Sequence, residues 1–465
     1  MLDTIGARSA VEAAGFTRVR SVLTSWDHAA TERVDEQESG LLVDRGRFDA
    51  LLLARARALG VQVLQPAVIR ATTEHAHGWA LQIESADSPT GSSTELRARF
   101  VVDATGRHGV LPARRRRTGP RTLALYGYWR GHTLPVRPRI EAGRDAWYWG
   151  VPLPDGSYNT LVFVDAVQVR AEKTVPIETQ FRALLARSRL MEECRDAQLV
   201  GRVRAADATP YVDDASVSHT SIKVGDAALA IDPLSSSGVQ KAIQTALAAA
   251  IVMNTLLRQP ENAGAAMQFY REHLAHASDR HRGWAASHYA TVAAREPDEF
   301  WQARAAGAAP SDASAEQAPP RMGAPNVPSQ GVLQGVLQSV SQSVSPSASR
   351  IAARIASRDP VQLSPDVALV EIPRLGAEFV EVGTALRHPS LDAPVAYVGG
   401  WELAPLLRTM RPGMTPMQAV RAWAPTVPIA TGISIAGWLF RHGVLVTTPS
   451  PQLATARHVD LVIRS

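Results

Sequence analysis

The stretch from Lys223 to Ala250 restricts the fold more than any other part of the chain. Residues 224–231 are mostly small and apolar, which predicts a short buried strand. Pro233 cannot continue the hydrogen bonding of a strand, and the serines at 235–237 supply capping hydroxyls for a long alanine-rich helix. The N-terminus of such a helix presents free N–H groups and a partial positive charge. The sequence therefore predicts a strand, a turn and a helix that can face an anion or an electron-rich ring.

This stretch resembles the second FAD-binding motif of flavoprotein aromatic hydroxylases and flavin-dependent halogenases. The resemblance implies that the aspartate binds the ribitol of FAD, and that the proline loop and the helix start lie beside the isoalloxazine ring. An ordinary strand–helix crossover with a capped helix is the alternative. The matching residues are Gly225, Asp226, Pro233, Gly238 and Val239.

Two further motifs of the same family occur in the expected order. Arg45 opens an Arg-x-x-Phe-Asp segment before a leucine-rich helix that ends at Gly60. The resemblance places this arginine near the FAD, although a helix-capping segment that contains an arginine fits the residues equally. The second motif follows a strand at 96–102, and its chain turns at the glycine near the dinucleotide. It consists of Asp103, Ala104, Thr105 and Gly106.

Trp147 and Trp149 resemble the Trp-x-Trp-x-Ile-Pro signature of flavin-dependent halogenases. Alternate residues of a strand share one face, so the two rings can shield a flavin or hold an aromatic substrate. Two core tryptophans on an alternating strand explain the pattern equally well. With Ser235 and Ser237 of the proline loop, they are the residues that we predict to line the reaction pocket.

The first motif of the family is missing from the sequence. Gly-x-Gly-x-x-Gly after an N-terminal strand holds the FAD pyrophosphate in Rossmann-type domains, and nothing before Arg45 matches it. We therefore expect the chain to begin after this strand, loop and helix, as a fragment or with a start placed too far downstream, and without the main pyrophosphate site.

The resemblance implies an α/β fold with a Rossmann-like FAD domain of the p-hydroxybenzoate hydroxylase type, truncated at its N-terminus. We expect this domain in two parts, 1–110 and 215–302, around a β-rich substrate domain at 111–214. Residues 303–360 are rich in Ala, Pro, Ser and Gln and predict a linker. Residues 361–465 predict a small α/β module with a winged-helix-like pattern, suited to docking a peptide or protein.

Composition excludes several classes of function. The net charge of +5 over 465 residues is too weak to imply nucleic-acid binding, and no apolar run is long enough to cross a bilayer. Cys194 is the single cysteine, which excludes internal disulfides and favours a cytoplasmic location. The histidines at 273–281 have no cysteine or carboxylate at a metal-binding spacing, so no metal is predicted. Arg114–Arg117 predict a solvated loop or a surface for an acidic partner.

Two departures separate the chain from the halogenases of the family. In those enzymes a lysine after the N-terminal flavin motif carries or steers hypohalous acid, and the segment Gly15–Arg20 contains none. Ser235 stands where the tryptophan halogenases have a glutamate. Oxygen transfer to an electron-rich ring needs protection from water and correct aim rather than this lysine. The prediction is an FAD-dependent monooxygenase that uses O2, with NADH, NADPH or a separate flavin reductase as the electron source.

Within this group the chain resembles the flavin monooxygenases that hydroxylate a tryptophan during the maturation of the tryptophylquinone cofactor of quinohemoprotein amine dehydrogenase. That resemblance rests on the loop 232–239, the helix that ends near Tyr289 and the extra C-terminal module. It implies an aromatic substrate within a protein or peptide. The alternatives are a halogenase or small-molecule hydroxylase of a biosynthetic cluster, and a flavin-free scaffold.

Overall fold

The structure is a computed structural model that describes residues 1–26, 30–34, 40–85, 93–171, 174–306, 353–391 and 393–447. The chain divides into two compact units, Met1–Val340 and Ser341–Ser465. Most of the predicted linker at 303–360 lies outside the described residues, and so do residues 448–465. Among the described residues, no helix is both long and apolar enough to cross a membrane.

The first unit mixes helices and strands, as the α/β prediction requires. Its helices are α1 Arg8–Ala13, α2 Arg45–Ala58, α3 Ala166–Ala171, α4 Ile177–Leu185, α5 Gly238–Arg258, α6 Ala263–Ala293 and α7 Glu299–Ala305. Its strands are β1 Thr17–Val19, β2 Ser21–Ser25, β3 Thr31–Val34, β4 Gly40–Leu42, β5 Ala67–His75, β6 Gly78–Ser85, β7 Thr94–Ala98, β8 Val101–Asp103, β9 Arg115–Arg117, β10 Thr122–Arg130, β11 Arg139–Ala142, β12 Trp147–Pro152, β13 Tyr158–Asp165, β14 Gln198–Asp207, β15 Tyr211–Asp213, β16 Ser221–Lys223 and β17 Leu229–Ala230.

A seven-stranded sheet with the order β14-β10-β13-β12-β11-β2-β3 dominates this unit. Neighbouring strands are antiparallel except β11 and β2, which are parallel. The predicted strand that carries Trp147 and Trp149 is confirmed as β12, which pairs with β13. The sheet also includes β2 and β3, so residues from both sides of the predicted boundary at 110 form one sheet.

The two faces of β12 and β13 pack against different parts of the unit. Tyr148, Tyr158 and Val162 are buried in a core with Phe181 of α4. Trp147 and Phe163 point to the opposite face, where their rings stack at 3.7 Å between centroids. Because successive side chains of a strand alternate between faces, the same strands serve as core on one side and as wall on the other.

The Rossmann-like part contains a parallel pair of strands, β8 and β16, in which Lys223 is the register partner of Asp103. The single strand predicted at 96–102 is wrong, because the chain changes sheets there. β7 pairs antiparallel with β6, and β8 pairs parallel with β16. Residues 61–65, between α2 and β5, form neither a helix nor a strand.

The long helices pack through aromatic side chains. The predicted alanine-rich helix after the serines at 235–237 is confirmed as α5, and the predicted helix that ends near Tyr289 is part of α6. Trp284 and Tyr289 of α6 lie in one buried cluster with Trp26 and Trp301. The ring centroids of Trp26 and Trp301 are 5.7 Å apart, edge to face. Such pairs add to the stabilisation from apolar burial, so this cluster anchors α6 and α7 to the large sheet.

The second unit has its own apolar core. Its described residues form three antiparallel strand pairs: Val361–Leu363 with Leu445–Thr447, Ala368–Leu375 with Val380–Arg387, and Tyr397–Val398 with Trp401–Glu402. The helices span Leu403–Arg408, Pro416–Trp423 and Ile429–Arg441. The second begins with a capping box, in which Thr415 and Gln418 exchange side-chain to backbone hydrogen bonds. The helices and strands of this unit agree with the small α/β module predicted at 361–465.

Cys194 provides a probe of the first unit's stability. Its thiol is fully buried beside Met191, and burial, with a smaller contribution from Glu193, raises its pKa to about 12. The thiolate is the reactive form, so we expect a disulfide reagent at pH 8 to label the native protein about a thousandfold more slowly than the unfolded chain, whose thiol has a pKa near 8.5. Stopped-flow labelling in and out of denaturant measures this ratio. Labelling at the unfolded rate would contradict the buried placement.

Candidate functional site

A cavity of about 470 Å³, here called the tryptophan cavity, lies between the large sheet and the start of α2. Its walls come from four separate stretches of the sequence: the residues before and at the start of α2, one face of β12 and β13, Tyr128 of β10, and the loop before α5. The lining residues are Val43, Asp44, Arg45, Gly46, Tyr128, Trp147, Trp149, Val151, Leu153, Asn159, Leu161, Phe163, Pro233 and Ser236.

Strand register explains the flat wall of this cavity. Trp147 pairs with Phe163, and Trp149 pairs with Leu161. Directly opposed residues of an antiparallel pair point to the same side, so these four side chains form a continuous apolar surface. Asn159, opposite Val151, adds a polar edge. Its buried Oδ1 has no hydrogen-bond partner, so the wall offers an unused acceptor to whatever occupies the cavity.

Arg45 reaches the opposite wall as the first residue of α2. The Asp44 side chain caps this helix by accepting a hydrogen bond from the Arg47 backbone N–H at 2.7 Å. The Arg45 guanidinium donates to both carboxylate oxygens of Asp49, at 3.3 and 3.0 Å. Arg45 is therefore held by its own helix and remains exposed enough to meet a ligand. Sequence reasoning offered a capping segment or a cofactor contact, and the geometry accommodates both.

The loop before α5 is organised by Asp232. Its Oδ1 accepts from the Leu234 backbone N–H and from the Tyr289 hydroxyl, each at 2.9 Å. Ser236 adopts a left-handed conformation with φ of 47°, which places it, together with Pro233, on the cavity wall. Ser235 and Ser237 do not line this cavity. The predicted capping hydroxyl is wrong as well: Ser237 is the N-cap residue, but its Oγ donates to the Ser235 carbonyl.

The two remaining motifs meet beside the parallel strands. The Val224 N–H donates to the Asp103 carbonyl at 2.9 Å. Arg107 Nε lies 3.7 Å from Asp226 Oδ2, so the turn after β8 and the carboxylate at 226 share one side of the molecule. The sequence prediction that these motifs border a common groove is consistent with this arrangement.

Asp226 is the exposed end of an ion pair with a buried lysine. Its Oδ1 lies 2.6 Å from Lys241 Nζ, with 41% of the Asp226 side chain exposed and 1% of the Lys241 side chain. The Lys241 ammonium also donates to the Leu229 carbonyl. Burial lowers the pKa of Lys241, and the Asp226 charge opposes this shift. Asp226 thus has one oriented carboxylate that faces solvent and can accept hydrogen bonds from a ligand. Sequence reasoning missed Lys241, since a lysine inside an alanine-rich helix carries no local signal of its partner.

The turn at 103–106 is built on Asp103, whose side chain is buried and organises the backbone around it. Its Oδ1 accepts from the N–H and hydroxyl of Thr105, and its Oδ2 accepts from the N–H groups of Val110 and Leu111. Gly106 has φ of 70°, a conformation that favours glycine. The Asp103 carboxylate is fully used inside the protein, so a ligand at this turn would meet the backbone at Ala104–Gly106 instead.

Asp103 also predicts a pH dependence. Burial raises its pKa, but the hydrogen bonds from Thr105, Val110 and Leu111 outweigh this, so the net pKa lies below its usual value. A carboxyl with a lowered folded-state pKa stabilises the fold above its unfolded pKa of about 4 and loses this contribution as the pH falls through the folded pKa. We expect Asp103→Asn to lower the free energy of unfolding by about 1–3 kcal/mol at pH 7. Urea unfolding should show this deficit shrinking below about pH 4. A pH-independent deficit would contradict the assignment.

Comparison with known proteins identifies the family. The model that describes tryptophan halogenases matches residues 9–319. The chain belongs to the tryptophan halogenase family. It is 29% identical over 323 residues to a tryptophan 2-halogenase of Chondromyces crocatus, covering 65% of this chain and 61% of that enzyme. It is 28% identical over 253 residues to the flavin-dependent halogenase rdc2 of Metacordyceps chlamydosporia, covering 46% of this chain and 48% of that one. The chain thus spans about half to three-fifths of the length of these relatives.

Solved structures show that the fold is that of FAD-dependent halogenases and hydroxylases. The flavin-dependent halogenase CmlS aligns with a TM-score of 0.71 at 19% identity, covering 97% of this chain and 87% of that one. The peptidyl tryptophan dihydroxylase QhpG, which is essential for tryptophylquinone cofactor biogenesis, aligns with a TM-score of 0.65 at 24% identity, covering 95% and 88%. The predicted resemblance to this superfamily is confirmed, and the two structures support the fold rather than a choice between their activities.

Proposed function

We propose that the protein binds FAD and uses O2 to hydroxylate an electron-rich aromatic ring. The observation that carries this proposal is the convergence of Arg45, Trp147, Trp149 and Pro233 on one cavity, although these residues are distant in sequence. When bound, FAD would supply the activation of O2. The chain would supply the walls that exclude water, the orientation of the ring and the charges that hold the cofactor.

The residues of the site fit a flavin by their own chemistry. The apolar wall of Trp149, Leu161 and Phe163 suits a flat ring system, and the unpartnered Oδ1 of Asn159 can accept a hydrogen bond from a ring N–H. Asp226 presents a carboxylate that can accept hydrogen bonds from ribitol hydroxyls. The backbone of Ala104, Thr105 and Gly106, and the helix start at Gly238 and Val239, would complete the cofactor contacts. These assignments follow the family motifs and are proposed for this chain.

Hydroxylation is favoured over halogenation by the positions of the lysines. The chain has three lysines. Lys223 and Lys241 are buried in ion pairs with Asp213 and Asp226, and Lys173 lies outside the described residues. The tryptophan cavity has no lysine among its described lining residues. Ser235 is buried and donates to the Asp232 carbonyl, so the loop supplies neither the lysine nor the glutamate that halogenation uses in the family.

The substrate that we propose is a tryptophan within a protein or peptide. The structural likeness to the peptidyl tryptophan dihydroxylase QhpG, which extends over 95% of this chain, supports this choice over a free indole. The second compact unit and the exposed arginines of β9 would then contribute to docking. Halogenation or hydroxylation of a small aromatic molecule is the second candidate, supported by the halogenase relatives.

Turnover of the purified chain tests these alternatives. The protein would be supplied with FAD, a flavin reductase, NADH, isotope-labelled O2, and either a tryptophan-containing peptide or free tryptophan, each with and without chloride and bromide. Mass spectrometry is expected to show labelled oxygen in the peptide, independent of halide. Incorporation of halide into either compound would instead support halogenation as the activity of the protein. Preparations that bind no flavin would favour the scaffold alternative.

A further inference from the structure

A second cavity of about 420 Å³, here called the arginine cavity, shares no lining residue with the tryptophan cavity. Asp232 lines the arginine cavity, whereas Pro233 lines the tryptophan cavity. Its walls come from β9 and the residues after it, from β17, from one face of α6 and from α7. Apart from Asp232, none of the flavin-motif residues lines this cavity, so it needs a separate explanation.

Three buried polar atoms on the lining residues of this cavity lack a hydrogen-bond partner. They are Ser278 Oγ, His281 Nδ1 and Arg304 Nε. Their residues are 5%, 4% and 4% exposed. Ser278 and His281 are three residues apart and therefore lie on the same face of α6. An unpartnered buried polar atom costs free energy, on the order of 1–3 kcal/mol each, and three around one cavity indicate a ligand that supplies the missing partners.

The charge of the cavity lining determines whether it favours an anionic or a cationic ligand. Four arginines line it: Arg116, Arg117, Arg282 and Arg304. The described hydrogen bonds of the Arg304 guanidinium go to the Phe300 carbonyl and to the Thr122 hydroxyl, which are both neutral acceptors.

Two lining carboxyls offset this positive charge in part. They are Asp232 and Asp279. Arg282 Nη2 lies 3.2 Å from Asp279 Oδ1, and Arg116 Nη2 lies 3.6 Å from Asp214 Oδ1, a residue outside the lining. Arg117 and Arg304 then remain against Asp232, so positive charge is in excess and favours an anion.

The apolar part of the wall selects the body of the ligand. Pro120, Pro210, Ile231, Ala285 and Tyr289 contribute apolar surface to the lining, and the cavity volume is within the range of small-molecule sites. Inorganic anions would leave this surface unused. We propose that the arginine cavity binds a small aromatic carboxylate, with the carboxylate held by Arg304, Ser278 and His281 and with the ring against the apolar wall.

Calorimetry on the full chain tests this proposal with benzoate, benzyl alcohol and inorganic phosphate as probes. Benzoate is expected to bind at least tenfold more tightly than the neutral benzyl alcohol, because the charge is recognised. It should also bind more tightly than phosphate, because the ring is recognised. Equal affinity for benzoate and benzyl alcohol would overturn the proposal that the cavity recognises a negative charge. Phosphate binding as tight as benzoate binding would overturn the proposal that the ligand is an aromatic acid.

Matched variants locate the binding. Ser278→Ala should weaken benzoate binding about tenfold, the effect of one hydrogen bond. Ser287→Ala on the same helix should leave it unchanged, since the Ser287 hydroxyl donates to Trp284 outside the cavity. Arg304→Gln should weaken benzoate binding about a hundredfold. If the Arg304→Gln variant fails to fold, the comparison of the two serine variants still tests the proposal. Equal affinities in the two serine variants would overturn the placement. Because the assay needs no flavin, its result is independent of the proposed monooxygenase activity.

Discussion

Asp226→Ala is expected to weaken FAD binding by about 100-fold, the effect of losing charged hydrogen bonds to the cofactor, and also to destabilise the first unit. The second effect arises because the variant leaves the ammonium of Lys241 buried without its carboxylate. Losing one partner of a fully buried ion pair costs about 3–5 kcal/mol. Because 41% of the Asp226 side chain is exposed, solvent screening reduces the expected loss to about 1–3 kcal/mol. Flavin absorbance after dialysis against FAD measures the first effect, and denaturant unfolding measures the second.

The double variant Asp226→Ala with Lys241→Met separates the two effects. Methionine has a similar volume and no charge, so most of the lost stability should return. FAD binding should stay weak, because the carboxylate is still missing. Lys241→Met alone should retain FAD, since Asp226 keeps a neighbouring charge in Arg107 at 3.7 Å. Full flavin occupancy in Asp226→Ala would refute the assignment of Asp226 as a cofactor residue.

The two tryptophans of β12 are expected to respond differently to truncation. Trp147 is 2% exposed, stacks on Phe163 and packs edge to face on Trp26 with 6.2 Å between ring centroids. Trp147→Ala should therefore lower the free energy of unfolding by about 3–5 kcal/mol, as for other large-to-small core changes. Denaturant unfolding of the purified variant, compared with that of the unsubstituted protein, measures this loss.

Trp149 is half-buried and lines the tryptophan cavity. Trp149→Ala should cost less than about 2 kcal/mol and should weaken FAD binding about tenfold, the value of an aromatic contact. Trp149→Phe is the matched control and should retain most of the affinity. If both alanine variants lose only stability, the aromatic strand face is a core feature and not a cofactor wall.

Local sequence patterns were sufficient to predict the main elements near the site. The proline turn and alanine-rich segment predicted α5, and alternation predicted that Trp147 and Trp149 share a face. These predictions held because helix and strand periods depend on near neighbours. The motifs at 103–106 and at Asp226 also lie close together, since the Val224 N–H donates to the Asp103 carbonyl and Arg107 contacts Asp226.

Other details depended on contacts between residues far apart in the chain. The strand expected at 96–102 splits because β8 pairs with β16, more than a hundred residues later. Ser235 and Ser237 were predicted to line the pocket, but the left-handed backbone of Ser236 turns Ser236 to the cavity instead. Local composition holds no signal for such a choice among three consecutive serines.

The sequence by itself determined the family, the order of the motifs and the elements that carry them, because these properties are written in short-range spacing and residue type. The tertiary structure alone decided which side chains meet: Lys241 under Asp226, Asn159 beside the tryptophan wall, and Arg304 with Ser278 and His281 around the second cavity. The physical reason is that burial and pairing depend on the packing of distant segments, which residue spacing does not specify.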